Sequence, residues 1–205
     1  MPVCLVTCFK PFGGDPVNPS KECVFSLPDR IGQMEIIRRE IPTVFGKAGK
    51  AVLQAAQECG AHMILLTGVA GGRGFVTPEA VAINLRDASI ADNEGNCPWD
   101  EKIVLNGPDA IFSTLPVHKM IPCVSSLPIR LSYSAGAFVC NDAFYTVLNA
   151  MKNTGIPVGF LHVPLFPEEA DKKGLPSLKK ESSTACLTAW LKAAEECCFP
   201  ICKNE

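Results

Sequence analysis

Short apolar runs alternate with helical patterns along the chain. VCLVTCF (3–9) is almost continuously apolar, which predicts a strand covered on both faces. In NPSKECVFSL (18–27), Asn18 reads as an N-cap and Pro19 as the first helical position. MEIIRREI (34–41) reads as a second strand. Apolar residues at helical spacing predict a helix from about Thr43 to Glu58, stopped by Gly60. HMILLTG (62–68) reads as a third buried strand and runs into the glycine-rich VAGGRGFVTPE. EAVAINLRDA (79–88) alternates like a strand, and 91–110, with its Gly, Asn, Pro and Asp, reads as loop. A short helix from His118 to Ser126 is interrupted by Pro122. IRLSYS (129–134) reads as a strand, Phe138 to Lys152 as a helix, VGFLHVPL (158–165) as the last strand, and Ser177 to Cys198 as a long amphipathic closing helix.

Strands separated by helices predict a single α/β domain with a mostly parallel sheet and helices on both faces. The 205 residues suit one core, with no linker or internal repeat, so 1–205 reads as one domain with 198–205 as a candidate frayed tail. In such folds ligands sit outside the carboxyl ends of the strands. The loops to watch are CFKPFGG, GVAGGRG, SAGAFVC and LHVP.

Composition narrows the function classes. With 47% apolar and 20% charged residues, the chain has a globular composition. A formal net charge of −2 and the lack of a Lys/Arg stripe argue against a nucleic-acid partner. There is no apolar run long enough for a membrane span, and MPVCLVTCF reads as a strand, not a signal peptide. Eleven irregularly spaced cysteines without CxxC pairs predict reduced thiols in the cytoplasm. The histidines, His62, His118 and His162, are far apart, so no metal site is expected.

Cys140 follows the small-residue turn SAGA and opens a helix. The helix dipole and unpaired N–H groups there favour a thiolate, although most cysteines are packing residues. His162, at the end of the last strand, can reach the same crevice and take the thiol proton. His62 begins a strand and His118 lies in an interrupted helix, so both fit less well. Glu79 is one of several acids that could orient the imidazole. Phe9 and Phe12 flank Pro11 and could sandwich a small flat ring or plug the core. GVAGGRG could cradle a phosphate, but it lacks the spacing of a P-loop or dinucleotide fingerprint.

TCFKPFGG with VNPS, then GVAGGRG-FVTPEAVAIN, DNEGN, AGAFVCN and FLHVP together resemble the pyroglutamyl peptidase I (pyrrolidone-carboxylate peptidase) family. The resemblance runs from about Val3 to about Pro167. It implies a three-layer α/β/α sandwich like that of nucleoside phosphorylases. It also implies a cysteine exopeptidase that removes N-terminal pyroglutamate through a thioester, with no cofactor, acting on pyroglutamylated peptides as a homo-oligomer, dimer or tetramer. The family's triad falls on Cys140, His162 and Glu79. Its pocket positions fall on Phe9, Phe12, Phe138 and Val139, with Asn18 holding the first loop.

Four places depart from the commonest family pattern. Cys8 replaces a glycine, which raises the expectation of an oxidative Cys8–Cys140 link. Val69 replaces a glutamine and offers substrate only backbone. Ser89 replaces an arginine expected near the site, and Ser134 and Ala137 replace polar residues before the nucleophile. The alternatives are a non-catalytic pyroglutamyl-peptide binder on the same fold and a nucleoside phosphorylase-like enzyme using GVAGGRG.

Overall fold

The computed structural model describes residues 1–200. In chain order the elements are β1 (Val3–Phe9), α1 (Pro19–Phe25), β2 (Arg30–Ile31), β3 (Met34–Ile41), α2 (Ala48–Cys59), β4 (Met63–Val69), β5 (Thr77–Glu79), β6 (Val81–Ile83), β7 (Ala110–Phe112), α3 (Val117–Met120), α4 (Val139–Met151), β8 (Val158–Val163), α5 (Pro167–Lys173) and α6 (Lys180–Cys198). One six-stranded sheet has the order β2-β3-β1-β4-β8-β5. Its inner pairings, β3–β1, β1–β4 and β4–β8, are parallel, while β2 and β5 run antiparallel at the edges.

The continuous apolar strands divide their side chains between two cores, as the two-residue strand period requires. Cys4, Val6 and Cys8 of β1 join Met63 and Leu65 of β4 under α1 and α6, with Cys23, Leu187 and Trp190. Leu5 and Phe9 join Ile64 and Leu66 on the opposite face, under α2 and α4, with Val52, Phe144 and Val147. This is the expected three-layer sandwich with a mostly parallel sheet.

The closing helix starts at Lys180 rather than Ser177 and the short helix covers only Val117–Met120; five further differences have a local reason. The helix expected from Thr43 begins at Ala48. Gly46 adopts a positive φ of 67° in a turn, and the Phe45 and Gly46 N–H groups donate to the Asp92 and Asp142 carboxylates instead of entering a helix. The strand expected over 79–88 breaks after Glu79. β5 stays in the main sheet, while β6 turns away to pair with β7, which the sequence reading had not found. The 129–134 strand is reduced to isolated bridges at Ile129 and Ser132, because its neighbour β5 contains Pro78, which has no N–H to donate. Residues 167–173 form α5, begun by Pro167 at its first position and ended by Gly174 in the left-handed region. Cys198 belongs to α6 and packs with Phe199 against the first core, so no frayed tail starts there. The rest of that expectation, Cys202 included, lies outside the described residues.

Candidate active site

Sheet register gathers the polar residues. His162 lies opposite Gly68 of β4 on one side and Thr77 of β5 on the other, and Glu79 lies opposite Phe160. Paired residues share a sheet face. Gly68, His162, Thr77 and Glu79 therefore all face the α2/α4 side. α4 ends its approach on the same spot. A Cβ built on Gly68 would lie 2.8 Å from Cys140 Sγ and 3.3 Å from His162 Cδ2. Thiol and imidazole thus share one glycine floor.

His162 Nδ1 lies 2.8 Å from Glu79 Oε1. Glu79 is fully buried and His162 nearly so. An ionised carboxylate can only accept, so Nδ1 carries the proton and Nε2 is left as the base. Burial alone would push the Glu79 carboxyl up, but the hydrogen bond and charge of His162, then Ser132 and Arg73, hold it below the ordinary value. Burial pushes the His162 pKa down, opposed by Glu79.

The expected thiolate is not the resting form. Cys140 keeps partial exposure as a residue, but its sulfur packs against Gly68. Burial, then the Glu79 charge, push its pKa up to about 12, against a smaller lowering by Arg73. Desolvation outweighs the helix dipole here. Burial thus favours the neutral forms of both thiol and imidazole.

Around the thiol stands an aromatic corner. Phe138, the N-cap residue of α4, has Phe12 and Phe45 each at 5.0 Å between ring centroids. Val139 is buried in the same core. Phe9 is also buried and packs on Phe160 at 6.4 Å, which in turn lies 4.6 Å from the His162 ring. Phe9 is thus a back wall, and Phe12 pairs with Phe138 rather than forming a sandwich with Phe9. Asn18 bridges the first loop and the start of α1. It accepts from Ser20 N at 2.9 Å and donates to Lys10 O at 3.3 Å.

Val69 is not brought to the thiol. Its side chain packs on the α1/α6 side and, with Phe12, Asn18 and Leu165, lines a groove of about 230 Å³. Nor can Cys8 reach Cys140. Cys8 points into the first core with its Sγ near Arg39 O, and the sheet separates the two thiols. The expected link is therefore excluded in this fold by strand alternation. Ser89 is exposed. Ser134 Oγ accepts from Gly136 N at 3.3 Å and steadies the turn before α4. Among the described residues no group of three or more metal-ligating side chains is formed.

Sequence reasoning missed Gly68, Phe45 and the role of Arg73. Arg73 does not face outward for a phosphate. It donates to Glu79 Oε1 and Thr77 Oγ1, both at 2.6 Å, and to Ser134 O at 2.8 Å.

A thiol and an imidazole over one glycine, with a carboxylate on the far ring nitrogen and an α/β/α sandwich beneath, define a cysteine-type hydrolase. Comparison with known proteins gives the family. The pyroglutamyl peptidase family profile matches residues 2–197, and the chain belongs to that family. It is 45% identical over 181 residues to the pyrrolidone-carboxylate peptidase of Vibrio vulnificus, covering 87% of this chain and 85% of that one. It is 45% identical to that of Staphylococcus saprophyticus, covering 94% and 92%. The crystal structure of Bacillus amyloliquefaciens pyroglutamyl peptidase I superposes with a TM-score of 0.91 at 38% identity, covering 95% and 97%. A mutant pyrrolidone carboxyl peptidase from Pyrococcus furiosus superposes at 0.89 with 35% identity, covering 95% and 98%.

Proposed function

We propose that this chain is a cysteine exopeptidase that removes N-terminal pyroglutamate from peptides, with Cys140 as nucleophile, His162 as general base and acid, and Glu79 as the group that orients the imidazole. The observation that carries the reading is the contact of His162 Nδ1 with Glu79 Oε1 beside a thiol that shares the Gly68 floor. His162 Nε2 takes the thiol proton as sulfur attacks the carbonyl that joins pyroglutamate to the next residue. α4 begins without a side-chain cap. Its first backbone N–H groups are therefore free to stabilise the oxyanion. The leaving amine takes the proton from His162, and water then hydrolyses the thioester.

The lactam is small, neutral and flat. Phe12 and Phe138 offer it apolar surface, with the buried Val139 and Phe9 behind and Asn18 fixing the loop that carries Phe12. Val69 contributes backbone alone. A site that spends its buried polar groups on a lactam rejects free glutamine and proline. The same reading takes residues 1–205 as one catalytic domain in a reducing cytoplasm, assembled as a homodimer or homotetramer. The free thiols of the described residues and the exposed Trp99, Leu105, Phe112 and Tyr133 support it. Among the described residues no helix is long and apolar enough to cross a membrane.

The test is hydrolysis of a pyroglutamyl fluorogenic amide under reducing conditions by the native chain and by Cys140→Ala. The expected result is turnover by the native chain and a loss of at least about 10⁴-fold in the variant. Equal turnover by both would end the triad assignment, and no turnover by either would end the peptidase reading.

A further inference from the structure

Glu79 is a fully buried carboxylate whose Oε1 carries two donors, His162 Nδ1 at 2.8 Å and Arg73 Nη1 at 2.6 Å. The Arg73 guanidinium does not stop there. Nη1 also holds Thr77 Oγ1, and Nη2 holds the carbonyl of Ser134. Thr77 and Glu79 belong to β5, Ser134 lies in the turn that leads to Cys140, and Arg73 itself lies in the loop that follows Gly68. One planar fork thus ties together the strand bearing the acid, the approach to the nucleophile and the end of the strand that floors it.

We propose that Arg73 is a positioning residue for the proposed triad: through Glu79 it sets the imidazole, and through Ser134 it sets the start of the helix that carries Cys140. This rests on the peptidase reading above. The hydrogen bonds of Arg73 go to Thr77, Glu79 and Ser134, and none goes to Cys140 or His162. Its five donors in a rigid plane suit three acceptors in different directions, which an ammonium cannot match. The arginine that resemblance leads one to expect at Ser89 is absent, and Ser89 lies at the surface. Arg73 is the cation paired with Glu79.

The charge has a second effect with a definite sign. The ionisable groups facing Glu79 are His162 from β8, Arg73 from its loop and Cys140 from α4, with the Ser132 hydroxyl alongside. Arg73 lowers the pKa of both His162 and Cys140. Removing the cation raises both. The imidazole then protonates at higher pH, and the acid limb of kcat/KM moves upward.

The experiment compares Arg73→Gln and Arg73→Lys with the native chain, after circular dichroism has established the folded fraction. The readouts are kcat, KM and the pH dependence of kcat/KM on the pyroglutamyl amide. A fourth readout is the pH dependence of Cys140 alkylation by iodoacetamide, followed on the Cys140 peptide by mass spectrometry. The expected result for Arg73→Gln is a kcat loss on the order of 10- to 100-fold with KM within about two-fold, and an acid limb displaced upward. Arg73→Lys keeps the charge but not the fork. It should restore the native limb while kcat stays low. Native kcat and native limb in Arg73→Gln would overturn the proposal, as would a loss that vanishes once corrected for folded fraction. If neither variant folds, Thr77→Val removes one anchor of the fork, and an unchanged kcat there overturns it equally. Alkylation needs no substrate, so an inactive native chain would sink the peptidase reading while the Cys140 profile still tests the clamp.

Discussion

A methyl group on Gly68 would sit 2.8 Å from Cys140 Sγ and 3.0 Å from Phe160 Cζ. The φ of Gly68 is not in the left-handed region. Close approach alone, not backbone freedom, requires glycine here. Gly68→Ala therefore tests how finely the sulfur is placed. The expected outcome is a kcat lower by about 10- to 100-fold. Overpacking adds a stability cost of about 1–3 kcal/mol. Steady-state kinetics beside thermal melts check both, and a kcat unchanged from native would show that the sulfur has room to move. The residue shows why parts of the site were legible and others were not. Cys140 and His162 can be picked out as candidates because chemically able side chains stand at helix and strand ends, whereas Glu79 is one of several acids until the family resemblance marks it. Gly68, Phe45 and Arg73 acquire their roles only when segments distant in sequence arrive beside them: Gly68 meets α4, Phe45 meets Phe138, and Arg73 meets Ser134.

Elements were legible where burial imposes a period and illegible where side chains replace the backbone ladder. β1, β3 and α4 fall on or within a residue of their expected bounds, because long apolar patterns fix them. The stretch after Glu79 could not be read, because β6 is held by a side chain of α4. Asn141, one residue past the candidate nucleophile, accepts from Ile83 N at 2.9 Å and donates to Ile83 O and Leu85 O at 2.9 and 3.0 Å. It acts as a strand partner for a segment that has left the main sheet. Its neighbour Asp142 likewise accepts from Arg86 Nε at 2.6 Å and Gly46 N at 2.8 Å. Asn141 is fully buried. Asn141→Ala should thus orphan Ile83 N and Leu85 O, leave Ile83 O with Leu85 N alone, and cost about 2–4 kcal/mol. At about 2–4 °C per kcal/mol for a chain of this size, the melting temperature should fall by roughly 4–16 °C. A calorimetric shift below about 2 °C would mean that β6 finds its partners elsewhere.

At the scale of the whole molecule, four of the ten cysteines among the described residues are buried in the core, and that has a consequence at high pH. Composition alone gives the number of cysteines but not their burial. Cys4, Cys8, Cys23 and Cys186 are all fully buried and all free. Burial is the largest cause in each case, pushing Cys8 to about 12 and Cys23 and Cys186 to about 11 from an ordinary 9.0, with Cys4 raised further still. A folded-state pKa above the unfolded value means that the unfolded chain releases protons first as pH rises. The stability linked to these groups is complete below pH 9 and is lost above it, at about 1.4 kcal/mol per thiol per pH unit until each folded pKa is reached. Four such thiols remove roughly 5 kcal/mol by about pH 10, comparable with the whole stability of an ordinary domain. The melting temperature, measured under excess reductant so that oxidation plays no part, should therefore drop steeply just above pH 9. Replacing Cys186 by Ala should make that drop shallower, even though the smaller side chain lowers stability at neutral pH. A melting temperature that stays level to about pH 10.5 would mean that the buried thiols are reached by water well before the fold gives way.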